Sequence, residues 1–262
     1  MKTVLITGAT GDLGKELCRI YAKHNYNLLL IARNEEKIFS LVNELSIWKN
    51  RIQYFIVDLK DVNAVEKIYS WVQQERVVVD ILINVAGFGL YGDFLDRSLS
   101  DTKELLQINI ASLVELCFYF GKDMIRNKTG KIINFSSISA YFPGPFMASY
   151  YASKAFVLSF SVALAKEVRP YGVFVSAVVP GVIPTEFYDK AGADTSRSFL
   201  LNRMPLGSSK KLAYHVYKKS SKNKLIIKEG ILNQILILFS CILPLRIKAL
   251  IVSRVQRKKA PK

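Results

Sequence analysis

Short apolar runs recur along the first two thirds of the chain: "TVLIT" (3–7), "NLLLIA" (27–32), "IQYFIV" (52–57), "VDILIN" (79–84), "KIINFS" (131–136) and "VFVSAVV" (173–179). Each is brief and rich in Val and Ile, the pattern of strands covered on both faces. Between them, "GKELCRIYAKH", "EEKIFSLVNEL", "NAVEKIYSWVQQ" and "SLVELCFYFGKDMI" place apolar residues at helical spacing. Strand and helix alternate at least five times, which predicts an α/β fold with a doubly wound parallel sheet and right-handed crossovers.

After residue 205 the texture changes. "SSKKLAYHVYKKSSKNKLIIKEG" is polar and basic around an edge strand at Leu225–Ile227, and "ILNQILILFSCILPL" follows. Its longest apolar stretch, 235–245, ends at Pro244 and Arg246 and is too short to span a bilayer. The pattern divides the chain into a body over 1–204, including a loop at 182–204, and an extension over 205–262 that carries the edge strand and amphipathic basic helices.

Half of the 262 residues are hydrophobic and 22% are charged, ample for one large core. The net charge of +16 is unevenly placed. From Arg203 onward 15 Lys and Arg face Glu229 alone, a balance of +14, while the body holds 22 against 20, or +2. A neutral body with a basic end argues against a nucleic-acid-binding fold and for a local patch drawn to anionic lipid or an acidic partner. Cys18, Cys117 and Cys241 are widely spaced, which suggests neither a disulfide framework nor a zinc site and fits a reducing cytosol. His24 and His215 stand apart from acidic or cysteine partners, so no metal is implied. The opening "MKTVLITG" runs into glycines and Asp12 and reads as a first strand, unlike a secretory leader.

In "TVLITGATGDLGKEL" a strand joins a helix through Gly8, Gly11 and Gly14, with Thr7, Thr10, Asp12 and Leu13 in the same turn. Such a turn lets a pyrophosphate approach the backbone at a helix N-terminus, as in Rossmann-type sheets. The second strand ends in Ala32, Arg33 and Asn34, where an NAD-binding chain would carry an acidic residue for the ribose hydroxyl. A guanidinium suits a 2′-phosphate, so NADP(H) is preferred, with NAD(H) as the alternative.

"SYYASKAF" (149–156) sets two tyrosines ahead of a lysine. On a helix Lys154 lies about 40° around the axis from Tyr150 and about 60° from Tyr151, so either could face it. With 13 Tyr and 25 Lys about one such spacing is expected by chance, and Tyr214 with Lys218 is another. Context separates the two matches: "KIINFSSIS" ends a strand at Ser136 and Ser137, and ligands in this architecture sit at carboxyl ends of strands.

In that order the motifs resemble the short-chain dehydrogenase/reductase family. The likeness runs from "TGATGDLG" through "VDL" (57–59), "NVAG" (84–87), Asn109 in "INIAS", Ser137, and Tyr150 with Lys154, to "PGVIPT" (180–185). The family's serine stands about 13 positions before its tyrosine, which selects Ser137 and Tyr150 and leaves Tyr151 as a packing neighbour. The resemblance implies that Asp58 with Leu59 contacts the adenine, that Asn84, Ala86 and Gly87 line the cofactor cleft, and that Pro180, Gly181, Ile183 and Thr185 close over the nicotinamide. Tyr150 would then protonate a carbonyl oxygen, Ser137 would hydrogen-bond it, Lys154 would hold the nicotinamide ribose, and Asn109 would anchor a water relay. A lysine ammonium about 5 Å from the phenol is expected to lower its pKa by about two units. Two positions depart from the family pattern: Asp12 stands where the second glycine of TGxxxGxG falls, and Val85 replaces an asparagine.

Residues flanking such a site are apolar or aromatic: Phe88, Leu90, Tyr91 and Phe94, then Phe142, Phe146 and Met147, then Phe187, Phe199, Leu200 and Leu201. They point to a lipophilic ketone, aldehyde or secondary alcohol. The likeness also suggests a homodimer or homotetramer through helices around 102–126 and 149–169. In "LRIKALIVSRVQRKK", Ile247, Leu250, Ile251 and Val255 share a helical face, with Arg254, Arg257, Lys258 and Lys259 elsewhere. That helix could rest on an anionic membrane surface, giving a cytoplasmic protein peripheral to the inner face, or pack on the body. Two other functions fit parts of the pattern. The glycine spacing is that of nucleotide-sugar epimerases, and a cofactor-sensing protein would keep the glycines without the catalytic set.

Overall fold

Seven parallel strands form the sheet of the computed structural model, which describes residues 1–183, 191 and 207–256. They are β1 (Thr3–Thr7), β2 (Asn27–Ala32), β3 (Ile52–Ile56), β4 (Ile81–Asn84), β5 (Gly130–Phe135), β6 (Val173–Val179) and β7 (Ile226–Lys228). The order is β3-β2-β1-β4-β5-β6-β7. The chain winds outward from β1 in one direction, then crosses back to β4, so the order reverses between β1 and β4, where such sheets open a crevice. Thr7 pairs with Asn84 and Asn84 with Asn134, which aligns the carboxyl ends of β1, β4 and β5 along one edge.

The central strands are apolar on both faces because helices cover both. On one face α1 (Asp12–Lys23), α2 (Glu35–Leu45) and α7 (Ser209–Ser221) bury Leu17, Cys18, Ile38, Leu41, Leu212 and Val216 against Val4, Ile6, Leu28 and Leu30. On the other, α3 (Ala64–Gln74), α5 (Ser112–Arg126) and α6 (Ala148–Val168) bury Ile68, Val72, Leu116, Phe120 and Val157 against Leu5, Leu29, Leu82 and Ile132. Helix α4 (Leu99–Leu106) runs into α5 through a π turn, Gln107–Ala111. This 28-residue helical stretch is apolar and long enough to cross a bilayer, yet it buries Leu105, Leu113, Leu116 and Phe120 in the core. Helices α8 (Ile231–Ile242) and α9 (Leu245–Gln256) follow β7.

The stretch 209–221 differs from its polar reading. It is a helix, because Leu212, Ala213 and Val216 recur at helical spacing and are fully buried against α1, while its lysines face outward. Tyr214 is exposed on α7, away from the sheet edge, so its match with Lys218 is the accidental one.

Candidate active site

Gly8 ends β1 with a φ of 65°, a left-handed conformation that favours glycine. A Cβ there would lie 2.9 Å from the Ala86 Cα, and a Cβ on Gly14 would lie 2.2 Å from the Gly8 carbonyl oxygen. The turn is therefore pressed between the start of α1 and the chain leaving β4. Gly11 is the N-cap of α1 and uses no side-chain cap, which leaves the first-turn amides to a ligand. Thr7 is buried and accepts from the Ala86 amide through its Oγ1, 3.3 Å. Arg33 is exposed at the end of β2. Beside it, Asn34 spends its side chain capping α2, its Oδ1 accepting from the Lys37 amide at 2.7 Å.

Two residues expected in the cofactor cleft turn their side chains elsewhere. Asn84 is buried inside the sheet–helix interface, its Nδ2 donating to Asn134 Oδ1 at 2.9 Å. Leu59 packs in the core, and its carbonyl accepts from Ser112 Oγ, 3.1 Å. Only their main chains are left to border a ligand. Asp58 is half-buried and its Oδ1 accepts from the Lys60 amide, 3.1 Å. Pro180, Gly181 and Ile183 follow β6 at the same edge, whereas Thr185, Phe187, Phe199, Leu200 and Leu201 lie outside the described residues.

The four residues expected to be catalytic, Asn109, Ser137, Tyr150 and Lys154, converge above the ends of β4 and β5. A Cβ on Gly87 would meet Asn109 Oδ1 at 3.0 Å and Lys154 Nζ at 3.3 Å, so the glycine leaves space between an amide and an ammonium. Asn109 sits on the π turn, where the extra residue swings it out of the helix. Its Nδ2 donates to the Phe88 carbonyl (3.0 Å) and Ser153 Oγ (3.1 Å), and its Oδ1 accepts from the Phe88 amide (3.1 Å). It thus clamps the loop after β4 to α6.

Lys154 is buried and its Nζ donates to the Phe135 carbonyl at 3.0 Å. It stands 5.8 Å from the centre of the Tyr150 ring. Tyr151 points away: its ring packs on Gly144, and its hydroxyl accepts from Gln256 Nε2 at 2.6 Å.

The expected acidification of Tyr150 by Lys154 is not what the protein alone shows. Burial dominates both groups: it pushes the Tyr150 phenol up to about 12, against the smaller opposing pulls of Ser137 and then Ser139, and pushes the Lys154 ammonium down to about 8. Ser137 Oγ also accepts from the Ser139 amide at 3.1 Å, opening the short helix Ile138–Tyr141. The Ser139 hydroxyl is buried without a hydrogen-bond partner at regular geometry and bears on the same phenol. Nothing in the sequence marked it except its place two positions after Ser137. At neutral pH the pair is a protonated phenol beside a cation, the form that can hand a proton to a developing alkoxide.

Around this centre stand Phe88, Leu90, Tyr91 and Phe142, all half-buried, with Met147 buried and Phe94 53% exposed. Phe146 holds a φ of 65°, a strained conformation for a bulky residue, and its carbonyl accepts from the Gly92 amide at 2.8 Å. The Tyr91 hydroxyl donates to the Gln256 carbonyl. Gln256, at the end of α9, therefore joins the two sides of the rim, a role for which the sequence held no signal. A cavity of about 390 Å³ opens at the other end of the strands between Thr3, Asn27, Arg51 and Asp80 and holds none of these residues.

Comparison with known proteins places the chain in a family. A family profile described as short chain dehydrogenase matches residues 2–196. A short chain dehydrogenase of Pseudocercospora fijiensis is 32% identical over 187 residues, 71% of this chain and 60% of that protein. Dehydrogenase/reductase SDR family member 7B of Xenopus laevis is 34% identical over 188 residues, 70% of this chain and 58% of its own length. The match thus spans less than two thirds of either relative. Among solved structures, a short-chain dehydrogenase from Sphingobium yanoikuyae in complex with NADPH superposes with a TM-score of 0.82 at 25% identity, covering 100% of this chain and 98% of that one. The chain belongs to the short-chain dehydrogenase/reductase family of oxidoreductases.

Proposed function

We propose that the protein is an NADP(H)-dependent reductase of lipophilic ketones or aldehydes, or the reverse dehydrogenase of the corresponding secondary alcohols. The convergence of Tyr150, Lys154, Ser137 and Asn109 at the carboxyl edge of the sheet carries this reading. The residues present suit a dinucleotide: the Gly8–Gly14 turn at the N-terminus of α1 fits a diphosphate, Gly87 leaves room that a Cβ would fill, and exposed Arg33 offers its guanidinium to a 2′-phosphate. Thr10, Asp12, Leu13, Asp58, Ala86, Pro180, Gly181 and Ile183 would border it. When bound, the coenzyme supplies the hydride. The chain supplies the rest: the Tyr150 hydroxyl gives its proton to the carbonyl oxygen, Ser137 hydrogen-bonds that oxygen, and Lys154 offsets the phenolate charge left behind. Aromatic residues at the rim favour an apolar substrate over a sugar or amino acid.

Self-association through α5 and α6 belongs to the same reading. Phe118 is 54% exposed on α5, and Phe156 stacks on Phe160 on the outer side of α6.

A panel of ketones, aldehydes and alcohols, with NADPH compared against NADH, tests the function. Tyr150→Phe is expected to remove at least about a hundredfold of turnover and to leave NADPH binding, followed by its fluorescence, within about twofold. Turnover near the parent's would end the assignment of Tyr150.

A further inference from the structure

A helix on the surface of a water-soluble protein turns its polar side outward; α8 does the reverse. Ile231, Ile235, Leu238 and Ile242 recur at intervals of four, three and four residues along its exposed side, with Ile231 and Ile242 each 78% exposed. Its buried positions are Ile237 and Ser240. In α9, Ile247, Leu250 and Ile251 are exposed together with Arg254, while Val255 is half-buried. The expected arrangement, with Val255 on the apolar face and Arg254 off it, is thus corrected: the cation stands among the exposed apolar residues. Arg257, Lys258 and Lys259 lie outside the described residues.

From Ile231 to Lys262 the chain carries seven Lys and Arg and no acidic residue. We propose that α8 and α9 form a docking surface for an anionic lipid bilayer, lying in its headgroup boundary, and that this seats the rim of the active site on the membrane. Each helix has 12 residues, about 18 Å, against a hydrocarbon core of about 30 Å, so they rest on the bilayer and do not cross it. Aliphatic side chains entering the boundary beside cations that meet anionic headgroups are the two components such binding requires. A second copy of the chain is a poorer occupant, because it would bring exposed Arg246 and Arg254 against the same cations.

The link to the site is structural. Lys248 Nζ donates to the Tyr141 carbonyl at 3.4 Å, on the short helix that Ser137 opens. Gln256 bonds both Tyr91 and Tyr151. The same segment that faces lipid therefore ends on the rim, so that a lipophilic carbonyl dissolved in the bilayer could enter the site without crossing water. This last step rests on the proposed reductase activity; the docking does not.

Flotation of the full chain with vesicles of phosphatidylcholine alone, or of phosphatidylcholine and phosphatidylglycerol at roughly two to one, tests it. At least about tenfold more protein is expected with the anionic vesicles, falling with added salt. The double variant Ile235→Asp and Leu238→Asp, and separately Arg246→Glu with Arg254→Glu, should lose most of that binding. Both should keep their circular dichroism, melting temperature and NADPH oxidation with a water-soluble ketone. The proposal is overturned if the parent stays unbound, if the aspartate variant floats like the parent, or if that variant instead splits a stable oligomer, which would make the face a self-contact. Vesicle binding without turnover of any carbonyl would leave the docking standing and remove the reductase reading.

Discussion

Lys154 is a buried ammonium to which the described residues supply one carbonyl bond and no carboxylate. Its depressed pKa has a sign that can be measured. In the unfolded chain it holds its proton up to about 10.4, in the folded protein only up to about 8, so the unfolded state binds more protons between those values. Folding stability therefore rises with pH across that window, and below it the full burial penalty, roughly 3 kcal/mol, is present. Tyr150 runs the other way: its raised pKa contributes stability that is complete below about 10 and is lost as the pH climbs toward 12. Lys154→Met should thus gain most over the parent at pH 7, with the advantage shrinking by about 2–3 kcal/mol toward pH 9.5–10, as urea denaturation at the two pH values would read. An unchanged difference would mean that burial is not what shifts the amine. The pairing of this lysine with Tyr150 was legible in the spacing of three intervening residues, and the decoy at Tyr214 was separable by its distance from any strand end. The titration was not legible, because it depends on what covers the pair rather than on how far apart they stand.

At the level of elements, the turn between β1 and α1 depends on the helix starting almost in contact with the strand end. Gly14→Ala would place a methyl group 2.2 Å from the Gly8 carbonyl oxygen and 3.0 Å from the Ala9 backbone. A stability loss of about 2 kcal/mol and at least about tenfold weaker NADPH binding are expected, by urea titration and fluorescence. Gly121→Ala on α5 is the control: its nearest contact would be Ile132 Cδ1 at 3.8 Å, so it should be neutral or stabilising by up to about 1 kcal/mol. Strands were the easiest elements to read, since a run such as "VFVSAVV" has no helical alternative at that length. Helix α7 was hidden by lysines that outnumber its three buried apolar residues, and the π turn because no residue type marks such an insertion. Yet that turn carries Asn109.

For the whole molecule, the parallel sheet and the covering of both faces followed from alternating elements, while surfaces did not. The proposed self-association would use the exposed rings on α5 and α6. Phe118, with Lys122 Nζ 4.0 Å above its ring, is the most direct probe. Phe118→Glu is expected to shift the protein toward monomer in sedimentation velocity, with its helical circular dichroism unchanged; an oligomer as stable as the parent's would place the contact elsewhere. The basic carboxyl end was visible as a charge imbalance, but its connection to the site runs through Gln256, a residue with no motif around it.

That connection bears on how the protein is handled in the laboratory. Gln256, which bonds Tyr91 and Tyr151, stands six positions before Lys262, so an affinity handle fused after Lys262 joins the chain within about 20 Å of the rim. Met1 is 77% exposed at the opposite end of the strands, next to Arg51 and Asp80, and a handle placed ahead of it leaves the reacting groups undisturbed.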